Sequence, residues 1–242
     1  MVRTKRFALL PLFAALLVAG VLPLLAHGAA AQDATATAAP GGEFPVKARF
    51  INAMTTVGKI DVDLNDDDNR IVQDLEYGKV SDEVELTAPV SNIIVKEPRN
   101  NQFDLWLFNT IVSTQAGSSY VITVSDLFII PVQVDTSPLG DQKARGRLVH
   151  AAAEAPPVDV LLNDKPTRIT NLRYGLASDT GEVPAGTYDV KLNQTGTSTT
   201  VLDVPSTALD AGQSYVMVLI GKPGSSEQPL ATINVATPVQ AS

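Results

Sequence analysis

Runs in which apolar and polar residues alternate recur from about residue 47 onward, and this period of two predicts β-strands. In the run KIDVDL, Ile60, Val62 and Leu64 would face one side of a strand, and the charged residues among them would face the other. The run GTYDVKL (186–192) repeats the pattern. Because no clear helical period follows residue 31, the sequence predicts an all-β protein.

Two further runs, SYVITV (119–124) and SYVMVLI (214–220), are apolar almost throughout, which predicts central strands buried on both faces. Turn-forming dipeptides such as Asn163-Asp164 separate the strands at intervals of roughly eight to twelve residues. We expect about seven or eight short strands per domain, which is typical of an antiparallel β-sandwich.

The same motifs occur twice in the same order. IDV (60–62) corresponds to VDV (158–160), and the glycines that close LEYG and LRYG are Gly78 and Gly175. The offset between the copies drifts only from 98 residues at the first motif to 95 at the motif AGxSY, as small loop insertions and deletions would cause. A duplicated domain is therefore predicted.

The predicted boundaries follow from this repeat and from composition. They are a signal peptide at 1–31, a flexible linker at 32–46, domain 1 at 47–135, an inter-domain joint at 136–143, domain 2 at 144–236 and a C-terminal tail at 237–242. Because the joint is short, we expect the two domains to pack end to end rather than to tumble freely.

The N-terminus has the layout of a secretory signal peptide. Arg3, Lys5 and Arg6 precede an apolar run (7–26), and small residues lead to a predicted cleavage site after Ala31. An uncleaved membrane anchor is the alternative, because about 20 apolar residues can span a bilayer. Prolines and a glycine interrupt the run, which favours cleavage. We therefore expect a protein that is secreted or held in the cell envelope, with no membrane attachment after cleavage.

The second copy carries a recognisable series of motifs. Within residues 144–235 it contains RLVHAAAEAPPVDVLLND, then YG, PAGTY and LDAGQSYVM. These resemble the bacterial envelope family known as domain of unknown function 4397, whose pattern runs roughly RVVHASPDAPAVDVYVNG, FG, PAGTY and L.AG..YTV. The first copy is less similar, with Asn52 where the family usually has histidine. The resemblance implies tandem immunoglobulin-like antiparallel β-sandwich domains in cell-wall or secreted proteins, and it brings no assigned catalytic residues.

Charge and composition narrow the classes of function. The signal peptide holds three of the 18 basic residues and none of the 26 acidic ones. The processed chain thus has 15 basic and 26 acidic residues, a formal charge of −11 with histidine uncharged. Such an acidic chain disfavours nucleic acid as a partner, since phosphates are bound by clusters of Lys and Arg. The absence of cysteine excludes disulfides and thiolate chemistry.

His150 is the only histidine left after removal of the signal peptide. A nucleophile–histidine–acid arrangement could use it. The corresponding residue of the first copy is Asn52, which cannot act as a general base, so we expect His150 to bond to the loop that follows its strand. Zinc-ligand spacings, phosphate-binding glycine loops and dinucleotide motifs are missing from the sequence. The sequence therefore predicts no catalytic residues and no enzyme.

The run DVDLNDDDNR offers oxygen ligands at the close spacing that calcium prefers, namely Asp61, Asp63, Asn65, Asp66 and Asp68. An EF-hand is excluded, because aspartate stands where its loop requires glycine and valine where it requires glutamate. A looser calcium site at a hairpin tip is one hypothesis, and calcium is the one cofactor that the sequence suggests. The alternative is an outward-facing row that runs into a solvated acidic turn, since the second copy, DVLLNDKP, lacks the cluster.

The run FDLWLFN alternates so that Trp106 and Phe108 share one face of a strand. If that face is exposed, the two rings form an aromatic platform of the kind that stacks on sugars or on a partner protein. If it is buried, they belong to the sandwich core. Cell-wall polysaccharide and envelope proteins are therefore the candidate partners.

Taken together, these features predict a secreted or cell-envelope, non-enzymatic tandem β-sandwich protein with a structural, adhesive or interaction role. The alternative is a module that binds carbohydrate or another ligand through Trp106 and Phe108. A surface domain stabilised by calcium is a third hypothesis.

Overall fold

A computed structural model describes residues 45–66, 69–98 and 105–240. In these residues the regular elements are all β-strands. The predicted signal peptide, and the predicted linker up to residue 44, lie outside the described residues. Within the residues that the structure describes, no helix is long and apolar enough to cross a bilayer.

The first domain is a sandwich of two four-stranded sheets. Its strands are β1 (Val46–Asn52), β2 (Lys59–Leu64), β3 (Arg70–Glu76), β4 (Val84–Leu86), β5 (Val90–Glu97), β6 (Leu105–Ser113), β7 (Ser119–Val124) and β8 (Ile129–Val134). One sheet has the order β4-β1-β7-β8 and is called the inner sheet, because it faces the second domain. The other has the order β3-β2-β5-β6 and is called the outer sheet. Alternate apolar side chains, such as Phe50 of β1 and Ile60 and Val62 of β2, form the core between the sheets.

The second domain repeats this plan. Its strands are β9 (Lys143–His150), β10 (Val158–Leu162), β11 (Lys165–Pro166), β12 (Gly181–Pro184), β13 (Gly186–Gln194), β14 (Thr200–Leu209), β15 (Gln213–Ile220) and β16 (Ala231–Pro238). Its inner sheet has the order β12-β9-β15-β16 and its outer sheet the order β11-β10-β13-β14. Val158 and Leu192 of the outer sheet pack with Leu148 and Leu219 of the inner sheet.

The predicted all-β architecture with two sandwich domains is confirmed, and each domain has eight strands in the described residues. One detail differs from the antiparallel expectation. In each inner sheet the first and seventh strands run parallel, β1 with β7 and β9 with β15. The five strands between them form a connection long enough for parallel pairing, whereas neighbours joined by tight turns must be antiparallel.

Strand pairing extends slightly past the predicted domain boundaries. Val46, inside the predicted linker, pairs with Leu86. Lys143, inside the predicted joint, already belongs to β9, and β16 continues to Pro238 in the predicted tail. Backbone hydrogen bonds can continue where the side-chain pattern no longer marks a strand.

The two inner sheets pack against each other and share a third apolar core. Ile51 and Val121 of the first domain lie in one cluster with Val149 and Val216 of the second, and none of the four is more than 1% exposed. The expected end-to-end packing is therefore wrong, because the domains meet through sheet faces. The two-sided burial predicted for β7 and β15 is confirmed, since alternate residues face the domain's own core and the shared core.

A buried arginine fixes the joint between the domains. The Nη1 atom of Arg145 donates to the carbonyl oxygens of Asp135 (3.2 Å) and Ser137 (3.1 Å) and to the Ser137 hydroxyl (2.9 Å). Its guanidinium also pairs with the carboxylates of Asp135 (2.8 Å) and Glu182 (3.1 Å). A bond from the Ser137 hydroxyl is the main cause that lowers the pKa of Asp135. The joint is thus tied to domain 2 by charged and hydrogen-bonding groups.

Candidate functional site

The outward face of β2 carries a buried cluster of charges. Asp61 is 1% exposed and Asp63 is fully buried. The Arg70 guanidinium lies 2.5 Å from Asp61 Oδ2 and donates to Asp63 Oδ1 at 3.0 Å. Lys96 Nζ of β5 lies 2.5 Å from Asp63 Oδ2. The alternation predicted for KIDVDL is correct, and both carboxylates lie on the outward face, where cations from neighbouring strands cover them.

Two further contacts stabilise the charges of this cluster. Asp61 Oδ1 accepts a hydrogen bond from the backbone N–H of Asp74 at 2.7 Å. Lys96 Nζ lies 5.8 Å from the ring centroid of Trp106, within the range of a cation–π interaction. Buried charges are tolerated when they are paired and hydrogen-bonded in this way.

The calcium ligands predicted from the sequence are only partly brought together. Asp61 and Asp63 are neighbours but face cations, and Asn65 uses its side chain within the protein: its Nδ2 donates to Thr87 Oγ1 (3.1 Å) and its Oδ1 accepts from the N–H of Asn92 (3.1 Å). Within residues 45–66, 69–98 and 105–240, no group of three or more His, Cys, Asp or Glu side chains is arranged to hold a metal ion.

Two predicted calcium ligands remain, Asp66 and Asp68, and the structure describes only the first. Asp66 lies in the turn after β2, and Asp68 lies outside the described residues. The calcium site stays a prediction. A calcium ion bound by Asp61 and Asp63 would have to displace the cationic groups that already neutralise both carboxylates.

A bulge in β6 separates the two aromatic residues of the predicted platform. Trp106 pairs with Lys96 and Phe108 pairs with Val95, so Leu107 is the extra residue. Trp106 therefore faces outward and is 51% exposed, whereas Phe108 packs against the core of domain 1. The structure brings only one of the two predicted rings to solvent, since a single extra residue reverses the alternation.

Several apolar residues along this edge of the outer sheet are exposed. They are Val90 of β5 and Leu105, Trp106 and Ile111 of β6, which we call the β6 ridge. Ile111 is the most exposed of them, at 70%. Val90 and Ile111 were not predicted from the sequence, because alternation identifies the two faces of a strand without showing which strand lies at the edge of a sheet.

A shallow depression lies beside the β6 ridge. Its walls include the amide side chains of Asn65, Asn92 and Asn109, together with Val90 and Ile111. The Oδ1 atom of Asn92 is buried there and accepts no hydrogen bond. Amide and aliphatic side chains thus provide polar and apolar contacts on one shallow surface.

His150 is enclosed at the end of β9. It is fully buried, and its Nε2 lies 3.0 Å from the carbonyl oxygen of Pro156. Since a carbonyl only accepts, Nε2 carries the proton and the unpaired Nδ1 is deprotonated. Burial lowers the pKa of His150. The expected bond to the following loop is present. In domain 1, Asn52 Oδ1 accepts from the N–H of Met54 in the loop after β1 at 3.0 Å, and its Nδ2 donates to the carbonyl oxygen of Leu75 in β3 at 2.9 Å.

The repeated YG motif contributes to the contact between the domains. The Tyr174 hydroxyl lies 3.1 Å from Ser125 Oγ and accepts from the N–H of Leu127 at 3.0 Å, and its ring centroid is 5.3 Å from that of Phe128. At Gly175, which has φ +81°, an added Cβ would lie 2.8 Å from the Phe128 ring. The loop of domain 2 thus fits closely over the β7–β8 turn of domain 1, a role that the motif alone did not indicate.

The family model described as "Domain of unknown function (DUF4397)" matches residues 46–161 and again residues 144–242. Among curated proteins, no relative is found.

Two solved structures are similar in part. One is a candidate cell adhesion protein from Bacteroides fragilis NCTC 9343, 9% identical, with 77% of this chain and 85% of that chain covered and a TM-score of 0.18. The other is a candidate cell adhesion protein from Parabacteroides distasonis ATCC 8503, 8% identical, with coverages of 79% and 97% and a TM-score of 0.20. At these TM-scores the likeness carries no argument about function.

Proposed function

Because the chain belongs to the DUF4397 family, whose model matches both copies, we propose that it works in the cell envelope or outside the cell as a non-enzymatic pair of β-sandwich domains. Its role is structural, adhesive or interactive: a stiff pair of domains presents a contact surface at a fixed position. The observation that carries this proposal is the buried core shared by the two inner sheets.

Three contacts support a fixed relation between the domains. They are the shared apolar core, the Arg145 anchor of the joint, and the Tyr174 loop over the Ser125–Phe128 turn. Domains joined only by a linker move relative to one another, whereas a large apolar interface holds them in one orientation. A fixed pair is suited to spacing or bearing load, because it transmits displacement instead of bending at the joint.

The β6 ridge is the proposed contact surface. It lies on the outer sheet of domain 1, the layer that does not take part in the shared core. Several exposed apolar side chains on one strand edge are a feature of surfaces that meet another molecule. An envelope protein or cell-wall polysaccharide is the proposed partner, and nucleic acid is disfavoured by the acidic balance of the chain.

Export is part of the proposal. The predicted signal peptide at 1–31 would direct secretion, and cleavage after Ala31 would leave no membrane anchor. N-terminal sequencing of the protein recovered from its native host tests this: a start at Gln32 agrees, and an intact N-terminus in the membrane fraction contradicts it.

Co-sedimentation with isolated envelope material tests the proposed role. The processed chain is expected to bind either the protein or the polysaccharide fraction, and Ile111→Lys should weaken binding roughly tenfold by placing a charge in the β6 ridge. A matched control is Ala208→Lys on β14, the corresponding edge of domain 2, which should bind like the wild type. Absence of binding to every fraction, together with turnover in a hydrolase screen, would contradict the proposal.

A carbohydrate-binding function is the second candidate, and the half-exposed Trp106 on the outward face of β6 favours it. Trp106 is the only tryptophan, so its fluorescence reports this surface alone. Titration with cell-wall glycans should shift or quench the emission. An unchanged spectrum across a broad glycan panel would remove this candidate and leave the protein partner.

A further inference from the structure

A lysine and an aspartate are buried in contact with each other on the outward face of the outer sheet. Asp63 of β2 is fully buried, and the side chain of Lys96 on β5 is 6% exposed. Lys96 Nζ lies 2.5 Å from Asp63 Oδ2. Since a carbon–oxygen bond of this kind is about 1.2 Å long, Nζ is at most roughly 3.7 Å from the carboxyl carbon Cγ. Reacting atoms in a near-attack arrangement are separated by about 3–3.5 Å, so the amine lies within reach of Cγ.

The contact differs from an ordinary hydrogen-bonded ion pair. Asp63 Oδ1 accepts a hydrogen bond from Arg70 Nε at 3.0 Å. Oδ2 is buried and has no hydrogen-bond partner among the described residues, although Nζ lies beside it. The approach of Nζ is therefore not aligned with a lone pair of Oδ2. Nζ also lies 5.8 Å from the ring centroid of Trp106, which adds an apolar wall beside the amine.

We propose that Lys96 and Asp63 condense to an intramolecular isopeptide bond that joins β5 to β2. Nζ attacks Cγ, the bond from Cγ to Oδ2 breaks, and Oδ2 leaves as water with two protons taken from the ammonium group. Oδ1 becomes the oxygen of the new amide, and Nζ keeps one proton. The positive and the negative charge cancel, so the step needs no oxidant, cofactor or further reactant.

The surroundings of the pair favour this step. Arg70 Nε donates to Oδ1, the atom on which negative charge develops when Cγ becomes tetrahedral. The Arg70 guanidinium is itself held by Asp61 Oδ2 at 2.5 Å. Burial excludes the water that would otherwise solvate both charges. The reaction also exchanges two buried charges for a neutral amide, which costs less to bury.

A lysine–aspartate pair in domain 2 provides an internal comparison. Lys191 Nζ lies 2.6 Å from Asp164 Oδ1, almost the same distance as in domain 1, but the side chain of Asp164 is 75% exposed. Water solvates that carboxylate, and an exposed ion pair gains little from its contact. We therefore expect no covalent bond there, so contact distance alone does not decide the outcome.

This inference goes beyond the proposed function and does not rest on it. Folding brings the two side chains together before they condense, so the newly folded chain holds the ion pair. The covalent bond then ties two neighbouring strands of the sheet that carries the β6 ridge. Envelope binding can fail while the bond forms, and the reverse is equally distinguishable, because one is measured by co-sedimentation and the other by mass.

Intact-mass spectrometry of the processed chain tests for the bond. After incubation of the folded protein at neutral pH, the wild type should be lighter than its sequence by one water molecule. Lys96→Arg keeps the positive charge but removes the amine nucleophile, so its mass should equal that of its sequence. A wild type that stays at full sequence mass, or a loss of water that Lys96→Arg retains, overturns the proposal.

Peptide mapping of the wild type locates the bond without relying on the folding of any variant. Trypsin does not cut after a lysine whose Nζ is acylated, so the digest should contain a branched peptide that joins the segments holding Asp63 and Lys96. Cleavage after Lys191 should be normal, because the exposed pair stays uncondensed. An unbranched peptide that ends at Lys96 as the main product, or an equal branch at Lys191, contradicts the proposal.

Discussion

The two domains have the same strand order, but the outward-facing side chains of one strand have different partners in each domain. In β2 of domain 1, Asp61 and Asp63 are buried under cationic groups. The corresponding residues of β10 in domain 2 are Asp159 and Leu161, and Asp159 accepts hydrogen bonds from neutral groups. The first aspartate is therefore common to both domains, whereas the second aspartate and its ion pairs occur only in domain 1.

Both copies have a carboxylate that accepts a hydrogen bond from a residue with left-handed backbone geometry. Asp61 accepts from the N–H of Asp74, which has φ +51°, and Asp159 accepts from the N–H of Asn171, which has φ +52°. In Asp159 this backbone bond is the main cause that lowers the pKa. The aspartate of the motifs IDV and VDV is thus structural, whereas the pairing of Asp63 with Lys96 belongs to domain 1 alone.

The largest effect is expected from making domain 1 resemble domain 2. Asp63→Leu copies Leu161 and removes the carboxylate beside Lys96 Nζ. Breaking a buried ion pair at one partner should lower the free energy of unfolding by about 3 kcal/mol or more, measured in urea. The double variant Asp63→Leu with Lys96→Met is the control, and it should recover most of the loss. A single-variant cost below about 1 kcal/mol would show that the cluster is not buried as described.

The next largest effect is expected from replacing the glycines of the repeated YG motif by alanine. The loss of stability should be larger in domain 2 than in domain 1. Both have positive φ, but an added Cβ would lie 2.8 Å from the Phe128 ring at Gly175 and 3.7 Å from Ile220 at Gly78. Gly78→Ala should therefore cost about 1 kcal/mol, the price of a left-handed alanine. Gly175→Ala should cost about 2 kcal/mol or more, because Phe128 must also move. Equal losses in thermal unfolding would contradict the tight contact at Gly175.

A smaller, pH-dependent effect should distinguish His150 from its counterpart Asn52. Burial lowers the pKa of His150, so below the ordinary value of about 6.5 the unfolded chain binds a proton that the folded chain does not. The wild type should hold its stability above that pH and lose up to about 1.4 kcal/mol per pH unit below it. His150→Asn, which introduces the residue of domain 1, should remove the loss of stability just below pH 6.5 and keep the further loss in acid, where carboxylates such as Asp135 and Asp159 are protonated. An unchanged slope just below pH 6.5 in this variant would assign that dependence to other groups.

The smallest effect is expected from calcium. Because the carboxylates of Asp61 and Asp63 already pair with Arg70 and Lys96, the unfolding temperature should be nearly the same in chelator and in millimolar calcium. A ligand that binds only the folded state must raise stability. A clear rise with calcium, lost in Asp63→Leu, would restore the metal site predicted from the sequence.

The sequence was sufficient for features that repeat or alternate locally. Alternation placed Ile60, Val62 and Leu64 in the core of domain 1, and the repeated motifs predicted two sandwich domains. It was also sufficient for the bond from His150 to the loop that follows.

Features that depend on distant residues were not predictable. The cations over Asp63 come from Arg70 and from Lys96 on another strand, and alternation carries no information about such partners. The bulge that separates Trp106 from Phe108 depends on pairing with β5. The shared core was visible only as excess apolarity in β7 and β15, which indicates burial on both faces without identifying the neighbour.

The central claim is that the duplicated domains form one body through the faces of their inner sheets. Scanning calorimetry of the processed chain tests it most directly. A shared core predicts a single cooperative transition in which the calorimetric and van't Hoff enthalpies agree. Two separate transitions, each with the enthalpy of one domain, would contradict the claim.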